Sequence, residues 1–322
     1  MKKLFIAVLA VAGLASCMQD EVLSQDQAAI EFGDAFVDNS TKAIIDDAGG
    51  IDGFTVWGNV NAIDATTNPV ALYGETGATV SRDGKGLGVA WSCSEKRYWT
   101  ASCVYNFVAI ANYKDVVVVN GVPTQIGYAV DATEPADLIY GATAAKTNAD
   151  CAPILGVNAN KVVNFTMKHL LSRIKVSYKN LVEGGDYTFD VTSAKITTWA
   201  EGVYTIANDV ADGTPWVKEG TNNVELTYDN VTSLAYSTTA TLAGDKLVIP
   251  GSAVTLEITY NEKLEGNVYR TATITKEAIV VPVQNYSYNI IVEFAKDNAI
   301  EFTIDATNGL TNWNTQADQP IQ

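Results

Sequence analysis

The chain has 322 residues, 47% of them hydrophobic, which is enough apolar material for two domains of the usual ~100–200 residues, each with a packed core. This composition disfavours intrinsic disorder. Lys and Arg number 21 against 37 Asp and Glu, and the resulting formal charge of −16 disfavours nucleic acid and anionic lipid headgroups as partners.

The N-terminus has the pattern of an export signal, which we assign to residues 1–16. Met1-Lys2-Lys3 is basic, and the apolar run Leu4–Leu14 is too short for the ~20 residues with which a helix crosses a bilayer. Leu14-Ala15-Ser16-Cys17 resembles a bacterial lipobox, in which a signal peptidase cuts before the cysteine and the thiol is acylated. Cys17 is therefore the predicted lipidation site, and its acyl chains would hold the precursor in the outer membrane. The alternative is an ordinary signal peptide with a cysteine at this position by chance.

Three more cysteines follow, Cys93, Cys103 and Cys151. Cys93 and Cys103 flank a Ser-Glu-Lys-Arg turn and could face each other across a hairpin, which would permit one disulfide. The alternative is that all three are buried, reduced thiols that act as small apolar residues. The sequence has no CxxC pair, and the only histidine, His169, is distant from these cysteines, so no metal site is predicted.

The segment Ile30–Ile45 joins a strand to a polar loop. Ile30 and Phe32 alternate with Glu31, as in a half-buried strand. From Asp38 to Lys42 the residues are polar and short, as expected of an exposed loop that a protease can cut. The sequence thus predicts a first strand that cleavage can separate from the rest of the chain.

Most of the remaining chain has the two-residue alternation of strands. Val254–Tyr260 and Tyr286–Phe294 show it most clearly, and Gly-, Asn- and Asp-rich turns separate such runs. The many short strands and the lack of an amphipathic helical pattern predict a mainly β protein with two β-sandwiches. We place the boundary at Glu183-Gly184-Gly185, which gives domains 43–183 and 184–322.

One long apolar stretch, Lys161–Tyr178, could be taken for a helix. Its apolar residues fit a period of two better, with a shift of phase near Lys168-His169. We therefore predict one strand that carries a β-bulge at this point.

The sequence offers little support for an active site. His169 lies in an apolar strand, which favours a packed, hydrogen-bonded core residue over a general base. Asp46-Asp47 and the loop at Asp83 lack the full set of oxygen ligands of a calcium loop. The Trp and Tyr residues could form a glycan-binding face, but filling two cores is the favoured interpretation. We predict no catalytic residue, no metal and no cofactor, and hence a protein that is not an enzyme.

Several motifs in a fixed order resemble the fimbrillin family, the major and minor subunits of type V pili in Bacteroidota. The resemblance covers nearly the whole chain, and each motif alone is weak. The matching elements are the lipobox at Cys17, the IxF strand before Thr41-Lys42-Ala43, Phe54-Thr55-Val56-Trp57-Gly58, Tyr98-Trp99 followed by Tyr105-Asn106-Phe107-Val108-Ala109, the stretch Phe165–Val176, and Ile249-Pro250-Gly251.

The resemblance implies two tandem transthyretin-like Greek-key β-sandwiches and a polymerisation cycle. Family stalk subunits are exported as lipoproteins, and a trypsin-like protease then removes the first strand. A C-terminal strand of the next subunit fills the vacated groove by donor-strand exchange. The implied protein is a fimbrial subunit at the cell surface that supports adhesion and whose partners are copies of itself and related subunits. The alternative is a surface lipoprotein or fimbrial tip adhesin that binds a glycan or a host receptor without polymerising.

By this resemblance, cleavage falls between Lys42 and Ala43, so that residues 17–42 form a lipidated propeptide. The best-known processing in the family follows an Arg, whereas the first Arg of this chain is Arg82. Lys42 stands at the equivalent place, which leaves an uncut anchor or tip subunit open, with Lys42 as an ordinary surface charge. Candidate donor-strand residues alternate in the last strand and continue into the polar tail: Ile300, Phe302, Ile304, Trp313 and Ile321.

Overall fold

The computed structural model describes residues 29–37, 53–62, 68–83, 90–100, 103–133, 136–143, 162–206, 215–296 and 300–308. Within these ranges most residues are in β-strands and none is in an α-helix, which confirms the mainly β fold. No helix in this part of the chain has the length and apolar character needed to span a membrane.

The strands are numbered in chain order. They are β1 (Glu31–Val37), β2 (Gly53–Ala62), β3 (Val70–Ala71), β4 (Ala78–Arg82), β5 (Trp91–Cys93), β6 (Cys103–Ala111), β7 (Asp115–Val119), β8 (Val122–Ala129), β9 (Ile139–Ala142), β10 (Val162–His169), β11 (Ser172–Asn180), β12 (Tyr187–Trp199), β13 (Glu201–Thr205), β14 (Trp216–Lys218), β15 (Asn223–Thr227), β16 (Val231–Leu234), β17 (Thr241–Val248), β18 (Val254–Leu264), β19 (Asn267–Val280), β20 (Tyr286–Phe294) and β21 (Ile300–Asn308).

These strands form four sheets. Sheet I has the order β1-β10-β9-β6-β2-β4-β5, with β3 beside β2, and sheet II has the order β14-β13-β8-β7. Sheet III has the order β17-β11-β20-β21, and sheet IV has the order β15-β12-β18-β19, with β16 beside β12. Sheet I curls far enough for its first and last strands, β1 and β5, to contact each other.

The domain boundary predicted near residue 183 does not coincide with a division between sheets. Strands β13 and β14 follow that residue, yet β13 pairs with β8 in sheet II, with Tyr204 opposite Ile126. Sheet II is therefore built from both halves of the sequence. The division into 43–183 and 184–322 and the Greek-key connection stay predictions.

Three buried cores correspond to this arrangement. The first core lies inside the curl of sheet I, and the second lies between sheets III and IV. The third core joins the outer face of sheet I to sheet II and to the beginning of sheet III. In this core the indole N–H of Trp216 donates a hydrogen bond to the carbonyl of Leu170 at 3.0 Å. Each core buries the inward residues of strands whose sequence alternates, as β18 does without interruption from Val254 to Tyr260.

The stretch predicted as one bulged strand, Lys161–Tyr178, is instead two strands in different sheets. Strand β10 ends at His169 in sheet I, and β11 begins at Ser172 in sheet III. Leu170 and Leu171 between them are both fully buried in the third core. The bulge prediction was wrong because the two apolar runs belong to different sheets, so the shift of phase marks the point where the chain leaves sheet I for sheet III.

Buried tyrosines make the free energy of unfolding decrease as the pH rises in the alkaline range. Burial raises the pKa of Tyr73, Tyr128, Tyr178 and Tyr228 above the ordinary value. A raised folded-state pKa gives stability that is complete below the unfolded pKa of about 10 and is lost as the pH rises beyond it. We expect the urea midpoint to be lower at about pH 11 than at about pH 8, on either side of that pKa.

A Tyr178→Phe variant is the matched control for this pH effect. The Tyr178 hydroxyl has no hydrogen-bond partner in the described part of the chain, so the substitution removes an ionisable group and little else. Its loss of stability at alkaline pH should be smaller than that of the parent protein. Equal urea midpoints of the parent at the two pH values would contradict the prediction.

Candidate functional site

Strand β1 lies between two parts of sheet I and closes the sheet on itself. On one side it runs parallel to β10, from Glu31 opposite Val162 to Val37 opposite Met167. On the other side Ala29 forms a bridge with Tyr98, and the Ile30 amide donates a hydrogen bond to the Arg97 carbonyl at 2.8 Å. We call the space between β10 and Arg97-Tyr98 the β1 groove.

The β1 groove is apolar on its inner side. The side chains of Ile30 and Phe32 are only 5% and 6% exposed and belong to the first core. The Phe32 ring lies 5.9 Å from that of Phe107, 6.1 Å from that of Phe165 and 6.3 Å from that of Tyr73. Burial of each such side chain contributes about 1.5–3 kcal/mol. The sequence prediction that Ile30 and Phe32 share a buried face is confirmed.

The Arg97 side of the groove is held by contacts that do not involve β1. The Arg97 Nε–H donates to the Leu72 carbonyl at 2.8 Å, and an Nη–H donates to a Glu95 carboxylate oxygen at 2.9 Å. The guanidinium also lies 5.9 Å from the centre of the Tyr73 ring, within cation–π range. These contacts position the Arg97 carbonyl for any strand that enters the groove.

A β-bulge interrupts β1 next to Gly33. Between Phe32 and Ala35 the register on β10 shifts, since Phe32 is opposite Val163 and Ala35 is opposite Phe165. A Cβ atom at Gly33 would lie 2.3 Å from Asn164 Oδ1 and 2.4 Å from Val162 Cγ1. Glycine is therefore the residue that fits this close approach to β10.

We expect Gly33→Ala to destabilise the attachment of β1 by about 1–3 kcal/mol, because the added methyl group forces Asn164 or Val162 aside. Gly185→Ala is the matched control, since nothing lies within 4 Å of a Cβ atom at Gly185. Hydrogen exchange of the β1 amides measures the effect. Exchange in Gly33→Ala that is as slow as in Gly185→Ala would refute the tight fit.

Several predicted site residues lie outside the described part of the chain. These are the lipidation site Cys17, the cleavage pair Lys42 and Ala43, and the tail residues Trp313 and Ile321. The described part of β1 ends at Val37, opposite Met167 near the end of β10. The predicted cleavage loop thus follows β1 directly in the sequence.

The other donor candidates, Ile300, Phe302 and Ile304, form the ordinary last strand of sheet III. They lie opposite Phe294, Val292 and Ile290 of β20 in a regular antiparallel ladder. All three are half-buried and pack against the second core. Ile300 also lines an open cavity of about 260 Å³ between the outer strands β19 and β21. The last-strand arrangement, one of the two that the sequence left open, is the one in this structure.

The hairpin that the sequence left open for Cys93 and Cys103 is not formed. Cys93 ends β5 and lies opposite Val80 of β4, whereas Cys103 begins β6 and lies opposite Ala62 at the end of β2. The structure has no disulfide between them. The two strands are adjacent in sequence but are not paired, because β4 and β2 separate β5 from β6 in the sheet.

His169 is a buried core residue, as the sequence predicted. Its Nδ1 contacts Oδ2 of Asp137, and both side chains are only 2% exposed. Asp137 precedes β9, whose Ile139 lies opposite His169. A pair so fully enclosed has no access to a substrate, so we interpret it as structural. The sequence alone did not reveal Asp137 as the partner.

Within the described ranges, no group of three or more His, Cys, Asp or Glu side chains is placed to hold a metal ion. Trp57, Trp99 and Trp216 are buried in the first and third cores. Their burial agrees with the interpretation that these aromatic residues fill the interior.

Comparison with known proteins assigns the chain to a family. A family profile described as fimbrillin-like matches residues 41–307, so the chain belongs to the fimbrillin-like family. The resemblance noted from the motifs is therefore confirmed.

Several solved structures have a similar fold. A fimbrial protein from Bacteroides vulgatus has a TM-score of 0.58 at 17% identity, covering 88% of this chain and 99% of that chain. Candidate cell adhesion proteins from Bacteroides uniformis and Bacteroides ovatus have TM-scores of 0.51 and 0.50 at 13% and 16% identity. They cover 89% and 87% of this chain and 99% and 96% of their own. No curated protein matches the sequence significantly.

Proposed function

We propose that the protein is a structural subunit of a cell-surface fimbria, which polymerises when β1 is removed and a strand of a neighbouring subunit enters the β1 groove. Membership of the fimbrillin-like family supports a fimbrial role. The single observation that supports strand replacement is the position of β1 and the two residues before it, which are bonded to β10 on one side and to Arg97-Tyr98 on the other, both later in the chain.

Loss of β1 would leave a groove suited to another strand. The backbone groups of β10 and Arg97 that now bind β1 would be unpaired, and Phe107 and Phe165 of the first core would be exposed. Such an edge is a template for strand addition. A donor strand would restore hydrogen bonds worth about 0.5–1.5 kcal/mol each and bury apolar area at about 25 cal/mol per Å².

Export and processing complete the proposed cycle. Acylation of Cys17 would hold the precursor in the outer membrane, and a trypsin-like protease would cut after Lys42. The mature subunit would then begin at Ala43 and join copies of itself and related subunits.

Labelled palmitate should enter the precursor in cells and should be absent from a Cys17→Ala variant.

Limited trypsin digestion of the purified precursor tests polymerisation. We expect a cut after Lys42, identified by a new N-terminus at Ala43, followed by a ladder of multimers on a gel of unheated samples. The matched control is Lys42→Ala, which lacks the cleavage site and should stay monomeric. A chain that is cut at Lys42 and remains monomeric would overturn the proposal in favour of a surface adhesin that does not polymerise.

A further inference from the structure

The same four residues, Ala-Ile-Glu-Phe, occur where the first and the last described strands start. Ala29-Ile30-Glu31-Phe32 leads into β1, and Ala299-Ile300-Glu301-Phe302 leads into β21. Ala299 itself lies outside the described residues, and β21 begins at Ile300. In both strands the isoleucine and the phenylalanine face a hydrophobic core.

We propose that this repeat sets the register in which β21 of one subunit enters the β1 groove of the next, with Ile300 in the place of Ile30 and Phe302 in the place of Phe32. This inference rests on the proposed function and adds to it the donor residues, their direction and their alignment. The entering strand would run parallel to β10, as β1 does.

The same side chains are better enclosed in the β1 groove than in sheet III. Ile30 and Phe32 are buried at 5% and 6% exposure, whereas Ile300 and Phe302 are half-buried. Ile300 also faces the cavity beside β19. Among the described strands β21 is bonded only to β20, while the groove offers β10 on one side and Arg97 on the other. Transfer to the groove would place Ile300 and Phe302 at positions where Ile30 and Phe32 are more fully buried, and it would break the nine-residue ladder between β21 and β20.

The bulge distinguishes the two strands. Between Phe32 and Ala35, β1 advances three residues while β10 advances two, from Val163 to Phe165. Strand β21 is regular along β20. With Phe302 opposite Val163, a regular strand brings Ile304 opposite Phe165, on the core side. The donor thus adds a third apolar side chain where β1 has Ala35.

The residue after the repeat fits the same register. β1 has Gly33 here, because its bulge leaves no space for a Cβ atom beside Asn164. β21 has Thr303 at this position, and its Cβ atom fits only if the strand has no bulge there. Without the bulge, Thr303 lies opposite Asn164. Asn164 is exposed, and Thr303 points away from the second core toward Glu293, so both side chains lie on the outer face.

A cysteine pair tests this register. Asn164→Cys and Thr303→Cys are introduced together in the full precursor, which is then cut at Lys42, allowed to assemble and oxidised. The control pair is Asn164→Cys with Glu301→Cys, on the same face but two residues away. Strand spacing of ~4.8 Å and a two-residue rise of ~6.6 Å put the control Cα atoms beyond ~7 Å, the limit for a disulfide.

We expect intersubunit disulfides in the 164–303 pair at about tenfold the yield of the 164–301 pair, because only the first meets the disulfide geometry. Precursor without engineered cysteines gives the background from the native thiols. A higher yield in the 164–301 pair would overturn this register, and so would multimers that contain neither crosslink. In both cases the proposed polymerisation would still stand. A cut precursor that forms no multimer would overturn the proposed function and this inference together.

Discussion

Replacing Phe32 with Ala is expected to lower the free energy that holds β1 in its groove by about 3–5 kcal/mol. The ring contacts Phe107, Phe165 and Tyr73, so its removal leaves a cavity among aromatic side chains that belong to several strands. Phe32 and Ile30 are the described side chains of this segment that lie in the first core, so the loss should appear as opening of β1 before the rest of the protein unfolds.

Hydrogen exchange measures this opening directly. The Ile30 amide is bonded to the Arg97 carbonyl, and its protection should fall by about two to four orders of magnitude in Phe32→Ala. Glu31→Ala is the matched control in the same strand, since Glu31 is exposed and its loss should cost less than about 0.5 kcal/mol. Similar protection of Ile30 in both variants would show that the Phe32 ring does not hold β1.

The second large effect is expected at the buried pair of His169 and Asp137. His169→Ala leaves the Asp137 carboxylate at 2% exposure without its imidazole partner. Loss of one member of a buried polar pair leaves the other without its hydrogen-bond partner, which costs about 1–3 kcal/mol or more, measured here as the free energy of unfolding in urea. Lys168→Ala is the matched neighbour and should cost much less, because Lys168 is only half-buried.

A double-mutant cycle distinguishes the free energy of the contact between His169 and Asp137 from the free energy lost when each side chain's packing is removed. The His169→Ala and Asp137→Ala changes together should cost less than the sum of the two single changes, because the double variant leaves no buried partner behind. Additive free energies would contradict the interpretation that the two side chains stabilise each other.

Local patterns in the sequence predicted the strands well. The alternation in Val254–Tyr260 and in Tyr286–Phe294 corresponds to β18 and β20, because burial of one sheet face is recorded in a two-residue period. The same rule identified the core side chains of β1. The order of the family motifs then predicted the family that the profile confirmed.

Contacts between distant segments could not be predicted in the same way. A strand pattern does not specify its partner, so the parallel pairing of β1 with β10 and the place of β13 beside β8 were not predicted. For the same reason the sequence left open whether Cys93 and Cys103 face each other. Asp137 was not identified as the partner of His169 because only the fold brings β9 and β10 together.

The most direct test of the account is the N-terminal residue of the subunit in fimbriae isolated from the cell surface, determined by mass spectrometry. We expect the N-terminal residue to be Ala43, with residues 29–37 absent from the polymer and the β1 groove occupied by a strand of another chain. A polymer whose subunits still begin at an acylated Cys17 and retain β1 would contradict it.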